Sequence, residues 1–75
     1  MNNNDNIYDT VRKNIRKYRR LKCMTQQELA DASDLSHGYI REIESLNMRA
    51  TFSLDAVEKI AAALEIEIKN LFEEN

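Results

Sequence analysis

Apolar residues recur through most of this chain at spacings of three and four positions, which places them on one face of an α-helix. The first such stretch predicts a helix that begins at about Ile7 or Tyr8 and ends at about Lys22. Its apolar face consists of Tyr8, Val11, Ile15 and Tyr18. The residues before it are mostly polar and rich in Asn, so we expect a disordered tail at residues 1–6 and one folded domain over residues 7–75.

The pattern over about residues 25–45 predicts two short helices joined by a tight turn. Thr25 and Glu28 have the spacing of a capping box, in which each side chain accepts a hydrogen bond from the other residue's backbone N–H. Ser36 can cap the second helix, whose buried face carries Ile40 and Ile43. Two helices around a short turn make a helix-turn-helix, and the second helix of that motif fits the major groove of DNA.

Two more helices complete the pattern. Ser53 can cap a fourth helix, and the last helix is expected over about residues 67–73. Their apolar positions are Leu54, Val57, Ile60, Ala61, Leu64, Ile68, Leu71 and Phe72. With 75 residues, one Gly and no Pro, the chain is predicted to form a single all-α domain of five helices.

The charge of the chain is segregated along its length. The net charge is −2, yet residues 1–22 carry seven basic and two acidic side chains, and residues 54–75 carry six acidic and two basic ones. The basic run of the first helix consists of Arg12, Lys13, Arg16, Lys17 and Arg20. It fits either a solvated helix face or a positive field that attracts DNA, with one or two residues near the helix end reaching phosphate.

Catalytic and metal-binding patterns are missing from the sequence. One His and one Cys do not supply a nucleophile, a base and an orienting third group, and no Cys/His cluster has metal-ligand spacing. We therefore expect a protein that is not an enzyme and that needs no metal, cofactor or small-molecule ligand. Cys23 is interpreted as a small residue at a helix end, with a redox-sensing thiol as the alternative.

Membrane and export signals are also missing. No apolar run approaches the ~20 residues that span a bilayer, and no signal peptide is visible. A single cysteine allows no intramolecular disulfide. The expected location is the cytoplasm, with no membrane partner.

The order and spacing of these motifs resemble the helix-turn-helix of phage-repressor-like regulators, the Xre or Cro/C1-type family. The residues that carry the resemblance are Thr25-Gln26-Gln27-Glu28-Leu29-Ala30, then Ser36, Ile40, Ile43 and Glu44, then Phe52-Ser53-Leu54-Asp55, Lys59-Ile60-Ala61-Ala62-Ala63-Leu64 and Leu71-Phe72. The resemblance covers roughly residues 11–72 and implies a compact lambda-repressor-like domain. The run from Leu35 to Ile40 is also similar to that of restriction–modification controller proteins.

The resemblance implies positions for DNA contacts. The expected base-contacting residues are Ser36, His37, Gly38, Arg41 and Glu42. The expected phosphate-contacting residues are Gln26, Tyr39, Asn47 and Arg49. The family also pairs a basic residue of the first helix with an acidic residue at the end of the recognition helix, here Arg19 with Glu44.

Several of these residues have plainer interpretations. Ser36 also fits a role as an N-cap only, and Gly38 fits a position that merely tolerates glycine. Glu42 fits a cytosine amino group or a salt bridge to Arg41 or Lys59. Arg41 fits either guanine or phosphate, and the sequence does not decide between them.

The resemblance also implies that either the turns at the helix ends differ slightly in this chain or these ends carry local strain. The family usually has Gly where the chain enters a left-handed conformation, and this chain has Cys23, Asp34, Leu46 and Glu65 at those places.

A single short recognition helix contacts too few base pairs to be selective, so we expect a homodimer on double-stranded DNA. The predicted two-fold interface contains Ile66, Ile68, Leu71 and Phe72, with burial of all four in the core as the alternative. The predicted function is sequence-specific transcriptional regulation, by a repressor or autoregulator on a palindromic operator in a bacterium, phage or mobile element. The alternatives are an antitoxin of a toxin–antitoxin pair and a protein-interaction module of the same fold.

Overall fold

The computed structural model describes residues 6–74, and its secondary structure over this range is entirely helical. The five helices are α1 (Ile7–Leu21), α2 (Gln26–Ser33), α3 (His37–Glu44), α4 (Leu54–Leu64) and α5 (Ile68–Phe72). The predicted all-α fold class is therefore confirmed. The expected tail lies outside the described residues except for Asn6, and Asn75 lies outside them as well.

The helices begin where local hydrogen bonds can satisfy their first N–H groups. Thr25, Ser36 and Ser53 each accept a hydrogen bond from the backbone N–H three residues on, at 3.0 Å in all three cases. Asn6 does the same for Asp9 at 3.0 Å, and the Asp9 carboxylate accepts from the Asn6 N–H. Asn6 is thus the N-cap of α1 rather than part of a tail.

One hydrophobic core joins all five helices. Helix α1 packs against α3 and α5, while α2 packs against α3 and α4. The centre is made of fully buried aliphatic side chains, among them Ile15, Leu29, Ile40, Ile60, Leu64 and Leu71. Because Ile40 and Ile43 of α3 are completely buried, the opposite face of this helix is held toward solvent.

Three of the four expected left-handed positions are present. Cys23, Asp34 and Glu65 have φ values of 56°, 59° and 58°. At Leu46 the turn differs, which is the other alternative, because the chain leaves α3 through an extended Ser45 and turns later, at Arg49 with φ 50°. A non-glycine residue in this conformation costs roughly 1–2 kcal/mol, so the structure carries local strain at these four positions.

Arg12 does not belong to a solvated basic face. Its side chain is 1% exposed and donates to the carbonyls of Ile43 at 2.9 Å and Ala50 at 2.7 Å. It also pairs with the Asp9 carboxylate at 3.1 Å. The guanidinium has five N–H donors, which allows it to satisfy these buried oxygens together. Arg12 therefore ties the end of α3 and the following loop to α1.

Asn14 is a second buried polar residue on α1. Its side-chain amide donates to the carbonyls of Leu71 at 2.8 Å and Glu73 at 2.7 Å, at the C-terminal end of α5. The last carbonyls of a helix have no hydrogen-bond donors within the helix, so the Asn14 amide serves as the donor to two of them. It fixes the short α5 against α1.

Candidate nucleic-acid interface

Helix α3 has a polar face that points toward solvent, because the opposite, apolar face of the helix is packed in the core. Ser36 is exposed and caps the helix by accepting from the Tyr39 N–H. Arg41 and Glu42 are exposed, and His37 and Gly38 are half-buried. These five residues are the expected base-contacting set, and the structure brings all of them together on one short helix and its cap.

The space that a side chain at position 38 would occupy is open. A Cβ atom added there would meet no described atom within 4 Å. Glycine is therefore not required by packing inside the chain. The position leaves room for the close approach of a partner to the helix.

Arg41 and Glu42 take no part in any ion pair within residues 6–74. Lys59, the other candidate partner of Glu42, instead lies 3.3 Å from Asp55. Both groups at the solvent face of α3 are thus available to an external partner.

The expected pair of Arg19 and Glu44 is present and joins α1 to the end of α3. Two parallel hydrogen bonds of 2.7 and 3.0 Å connect the guanidinium to the carboxylate, and a third N–H of Arg19 donates to the Met24 carbonyl at 2.8 Å. The side chains are 11% and 3% exposed. Breaking a pair this well buried strands a charge and costs roughly 3–5 kcal/mol.

Gln26 opens α2 beside this ion pair. Its side-chain amide donates to Glu44 at 3.1 Å. A side-chain amide carries two N–H donors, so this contact leaves the second N–H for another acceptor. Gln26 is half-buried, and the contact with Glu44 orients its amide.

The other expected phosphate contacts differ in their surroundings. Tyr39 is half-buried and packs against the hydrophobic core, whereas Asn47 is exposed in the loop after α3. Arg49 is 56% exposed, and its guanidinium lies 2.7 Å from the Asp9 carboxylate. A phosphate would therefore share Arg49 with Asp9.

A groove of about 630 Å³ runs between the C-terminal half of α1 and the end of α3. Its lining includes Gln26 and Asn47 from the expected set. It also includes Arg16 and Arg20 from the basic run of α1, which was interpreted either as a solvated face or as a positive field with one or two phosphate contacts near the helix end. The arginines of the lining are Arg16, Arg19, Arg20 and Arg41. The spacing of Arg16 and Arg20 by one helical turn is the sequence signal that could have linked them, but it was not used to separate them from the rest of the basic run.

The four residues expected at the dimer interface differ in burial, because some lie at the surface and one lies in the core. Ile68 is 40% exposed, and Ile66 and Phe72 are half-buried. Leu71 is fully buried, so its place in a two-fold interface was wrong. The reason is geometric. Helix α5 has only five residues, its Leu71 side chain is directed into the hydrophobic core, and the Leu71 carbonyl accepts a hydrogen bond from Asn14 on α1.

An apolar groove of about 310 Å³ lies next to this surface. It is formed by the first turns of α1 and α4 and the end of α5, and Phe72 is part of its lining. Ile7 and Leu54 at its rim are 52% and 70% exposed. The exposed apolar area is thus larger than the sequence indicated.

Metal sites, membrane-spanning helices and cysteine pairs are three further features to consider among residues 6–74. No group of three or more His, Cys, Asp or Glu side chains in this range is arranged to hold a metal ion. None of the described helices is long and apolar enough to cross a membrane. Cys23 is exposed at the end of α1 as a free thiol.

The packed α2–turn–α3 unit, with a polar face on α3 and an arginine-lined groove beside it, defines a helix-turn-helix DNA-binding protein. Comparison with known proteins agrees: the model of the helix-turn-helix family matches residues 15–71. The chain belongs to this family, in its Xre or Cro/C1-type form, and is a sequence-specific DNA-binding transcriptional regulator. A search of curated proteins gives no significant match.

Solved structures include several similar chains. The restriction-modification controller protein C.AhdI from Aeromonas hydrophila is 31% identical, with a TM-score of 0.78 over 87% of this chain and 96% of that one. C.Esp1396I, solved bound to a 25 base pair operator site, is 32% identical, with a TM-score of 0.79 over 91% and 87% of the two chains. The clp gene regulator ClgR from C. glutamicum is 27% identical, with a TM-score of 0.79 over 89% and 84%.

Proposed function

We propose that two copies of this chain bind a palindromic operator and control transcription from a nearby promoter, as an autoregulatory controller or repressor. The observation that carries this proposal is the similarity, over 91% of the chain, to a controller protein solved on a 25 base pair operator. The polar face of α3 supports it, because Arg41 and Glu42 form no ion pair within residues 6–74 and the second helix of this motif is the one that enters the major groove.

The proposed base contacts come from the start and the solvent face of α3. Ser36, His37 and Gly38 lie in its cap and first turn, and Arg41 and Glu42 follow one turn later. Arg41 can donate two hydrogen bonds to guanine, and Glu42 can accept from the cytosine amino group. The absence of ion pairs at both residues within the described chain favours these roles over a mutual salt bridge.

The proposed phosphate contacts flank α3 on both sides. Gln26 offers its second amide N–H together with the N-terminus of α2, where backbone N–H groups attract an anion. Tyr39, Asn47 and Arg49 supply the remaining contacts. The contact of Arg49 with Asp9 holds that side chain in place before DNA arrives.

The proposed two-fold interface combines the exposed side of α5 with the apolar groove. It comprises Ile66, Ile68 and Phe72 together with Ile7 and Leu54 at the groove rim. Burying such a surface against a second copy removes apolar area from water, at roughly 25 cal/mol for each Å². The interface would also fix the separation of two recognition helices.

We further propose that the protein has no catalytic role and works in the cytoplasm, where bacterial and phage DNA is transcribed. Its family of DNA-binding regulators supports both statements.

Selection of bound duplexes from a random pool tests the proposed function. The expected result is an inverted repeat whose half-sites lie about one helical turn, ~34 Å, apart. Sedimentation of the complex is expected to give two chains for each duplex. Enrichment of no sequence, or of a single unrepeated site bound by one chain, would contradict the proposal.

A further inference from the structure

Three guanidinium groups converge on the larger groove, and none has a carboxylate partner within residues 6–74. Arg16 and Arg20 come from α1 and Arg41 comes from α3, and all three are exposed. No ion pair involves any of them among residues 6–74. By contrast, the chain pairs Arg12, Arg19 and Arg49 with carboxylates.

The acid that lines the groove does not offset this charge. Glu44 is the carboxylate of the lining, and its two oxygens already accept from Arg19 at 2.7 and 3.0 Å and from Gln26 at 3.1 Å. The groove therefore keeps three positive charges from Arg16, Arg20 and Arg41. Like charges held near one another repel, and a bound anion relieves that repulsion.

The groove fits phosphate better than a nucleobase or a carboxylate-bearing metabolite with an apolar body. Guanidinium groups match phosphate oxygens with two parallel hydrogen bonds. None of the nine lining residues is aromatic, so the wall has no surface on which a base would stack. Asn47 adds an amide donor at one end, and Leu46 supplies the apolar part of the wall.

The position of the groove indicates the source of the phosphate. Arg41 and Gln26 belong both to the groove lining and to the proposed contact surface of the recognition unit. Arg16 and Arg20 lie four residues apart on α1, a rise of ~6 Å, which suits an extended anion better than a single ion. The volume of about 630 Å³ also exceeds that of one phosphate group.

We propose that Arg16 and Arg20, with Asn47, form a clamp for backbone phosphates of the DNA strand that borders the major groove occupied by α3. This inference rests on the proposed function and adds two residues of α1 to it. The clamp holds the duplex against α1 and contributes affinity that does not depend on base sequence.

The test compares Arg16→Ala, Arg20→Ala and the double variant with wild type and with Lys59→Ala, which removes one exposed positive charge from α4, outside the groove and the proposed interface. Binding to the selected operator and to a mixed-sequence duplex is measured by fluorescence anisotropy between about 50 and 200 mM salt. Circular dichroism checks that each variant is folded, which is expected because Arg16 and Arg20 are exposed helical positions.

Each single variant is expected to reduce the slope of log K against log salt by ~1.8, which is ~0.9 for each of the two chains on the duplex, and to weaken binding about sixtyfold at 0.1 M salt. The loss should be the same on both duplexes, and Lys59→Ala should match wild type. Wild-type slope and affinity in the double variant, or an equal loss in Lys59→Ala, would overturn the clamp while leaving the proposed function intact. If wild type binds no duplex, the proposed function fails and the DNA clamp fails with it.

A second measurement identifies the source of the anion. Inorganic phosphate is titrated while the arginine Nε–H signals are followed by NMR in wild type and in the double variant. Weak binding, abolished by operator DNA and missing in the double variant, is expected. Phosphate binding that persists in the presence of saturating operator DNA would show that the groove holds a free anion and would overturn the DNA clamp.

Discussion

At the scale of single residues, Arg12 connects segments that lie far apart in the sequence. It donates to Ile43 at the end of α3 and to Ala50 in the following loop, and it pairs with Asp9 on α1. The last carbonyls of a helix need partners from outside it, so Arg12 determines where the recognition helix ends relative to α1. Leaving one of these buried acceptors without a partner costs roughly 1–3 kcal/mol.

Asp9 is the anionic centre of this network. Burial disfavours its charged form, but the hydrogen bond from the Asn6 backbone and the charges of Arg49 and Arg12 outweigh burial and lower the pKa of Asp9 from its ordinary value of 3.8. A carboxylate whose pKa falls on folding stabilises the folded state above the unfolded pKa. That stabilisation is lost as the pH falls through the folded pKa.

Asp9→Asn is therefore expected to lower the free energy of unfolding at pH 7, and the difference from wild type should shrink below about pH 4. The measurement is urea unfolding at a series of pH values. Asp31→Asn, on the exposed side of α2, is the control and should change stability little at pH 7. A difference between Asp9→Asn and wild type that stays constant down to pH 2 would contradict this account of the network.

Sequence alone did not predict these buried polar residues. Arg12 and Asn14 are of residue types that usually face solvent, and their backbone carbonyl acceptors are contributed by residues 31 to 59 positions away along the chain. A helical stripe shows which side chains share a face but not which distant carbonyls need donors. The pair of Arg19 and Glu44, separated by 25 positions, was reached only through the family resemblance.

At the scale of helices, the order and approximate bounds of all five could be predicted because their signals are local. Capping side chains lie three residues from the N–H groups that they bind, and the apolar stripes repeat within each helix. Which residues of α1 face α3 depends on how the two helices pack, and this packing cannot be predicted from the local sequence of α1. The sequence therefore indicated a basic run on α1, but it did not show that Arg12 is buried while Arg16 and Arg20 line the groove.

The strained helix ends lead to a prediction about stability. Glu65 ends α4 with φ 58° and ψ 41°, a conformation that glycine adopts without the steric cost of a Cβ. Its ion pair with Lys22 spans 3.9 Å and is exposed, so the pair contributes little. Glu65→Gly is expected to raise the free energy of unfolding by about 0.5–1 kcal/mol in chemical denaturation.

Glu58→Gly provides the control for this prediction. Glu58 lies on the exposed side of α4, where glycine weakens the helix by about 1 kcal/mol. The two substitutions should thus shift stability in opposite directions. A loss of stability in Glu65→Gly would show that the left-handed helix end is not strained.

At the scale of the whole molecule, the dimensions of the chain favour contact between two copies on DNA. The molecule measures 33 × 24 × 22 Å, and half-sites on one face of B-DNA lie ~34 Å apart. Two copies on adjacent half-sites are therefore close enough to touch. The acidic C-terminal part of the chain is repelled by phosphate, which makes it a suitable surface for contact with a second copy.

Ile68→Asp is expected to give a folded monomer, because Ile68 is 40% exposed and its side chain is not needed for the core. The variant should bind half-sites weakly and lose most of its affinity for the inverted repeat. Sedimentation and circular dichroism provide the measurement. Leu21→Asp, at another exposed apolar position, should keep the wild-type oligomeric state. A dimeric Ile68→Asp variant would refute this interface.

Readout of bases by α3 within a symmetric dimer is tested most directly by repeating the selection from random DNA with His37→Ala and with Glu42→Ala. Each variant is expected to change the preferred base at one or two positions, by about 1–3 kcal/mol at each, and the change should appear in mirrored positions of both half-sites. Recovery of the wild-type motif by both variants would contradict readout by α3, and a change in one half-site alone would contradict the two-fold arrangement.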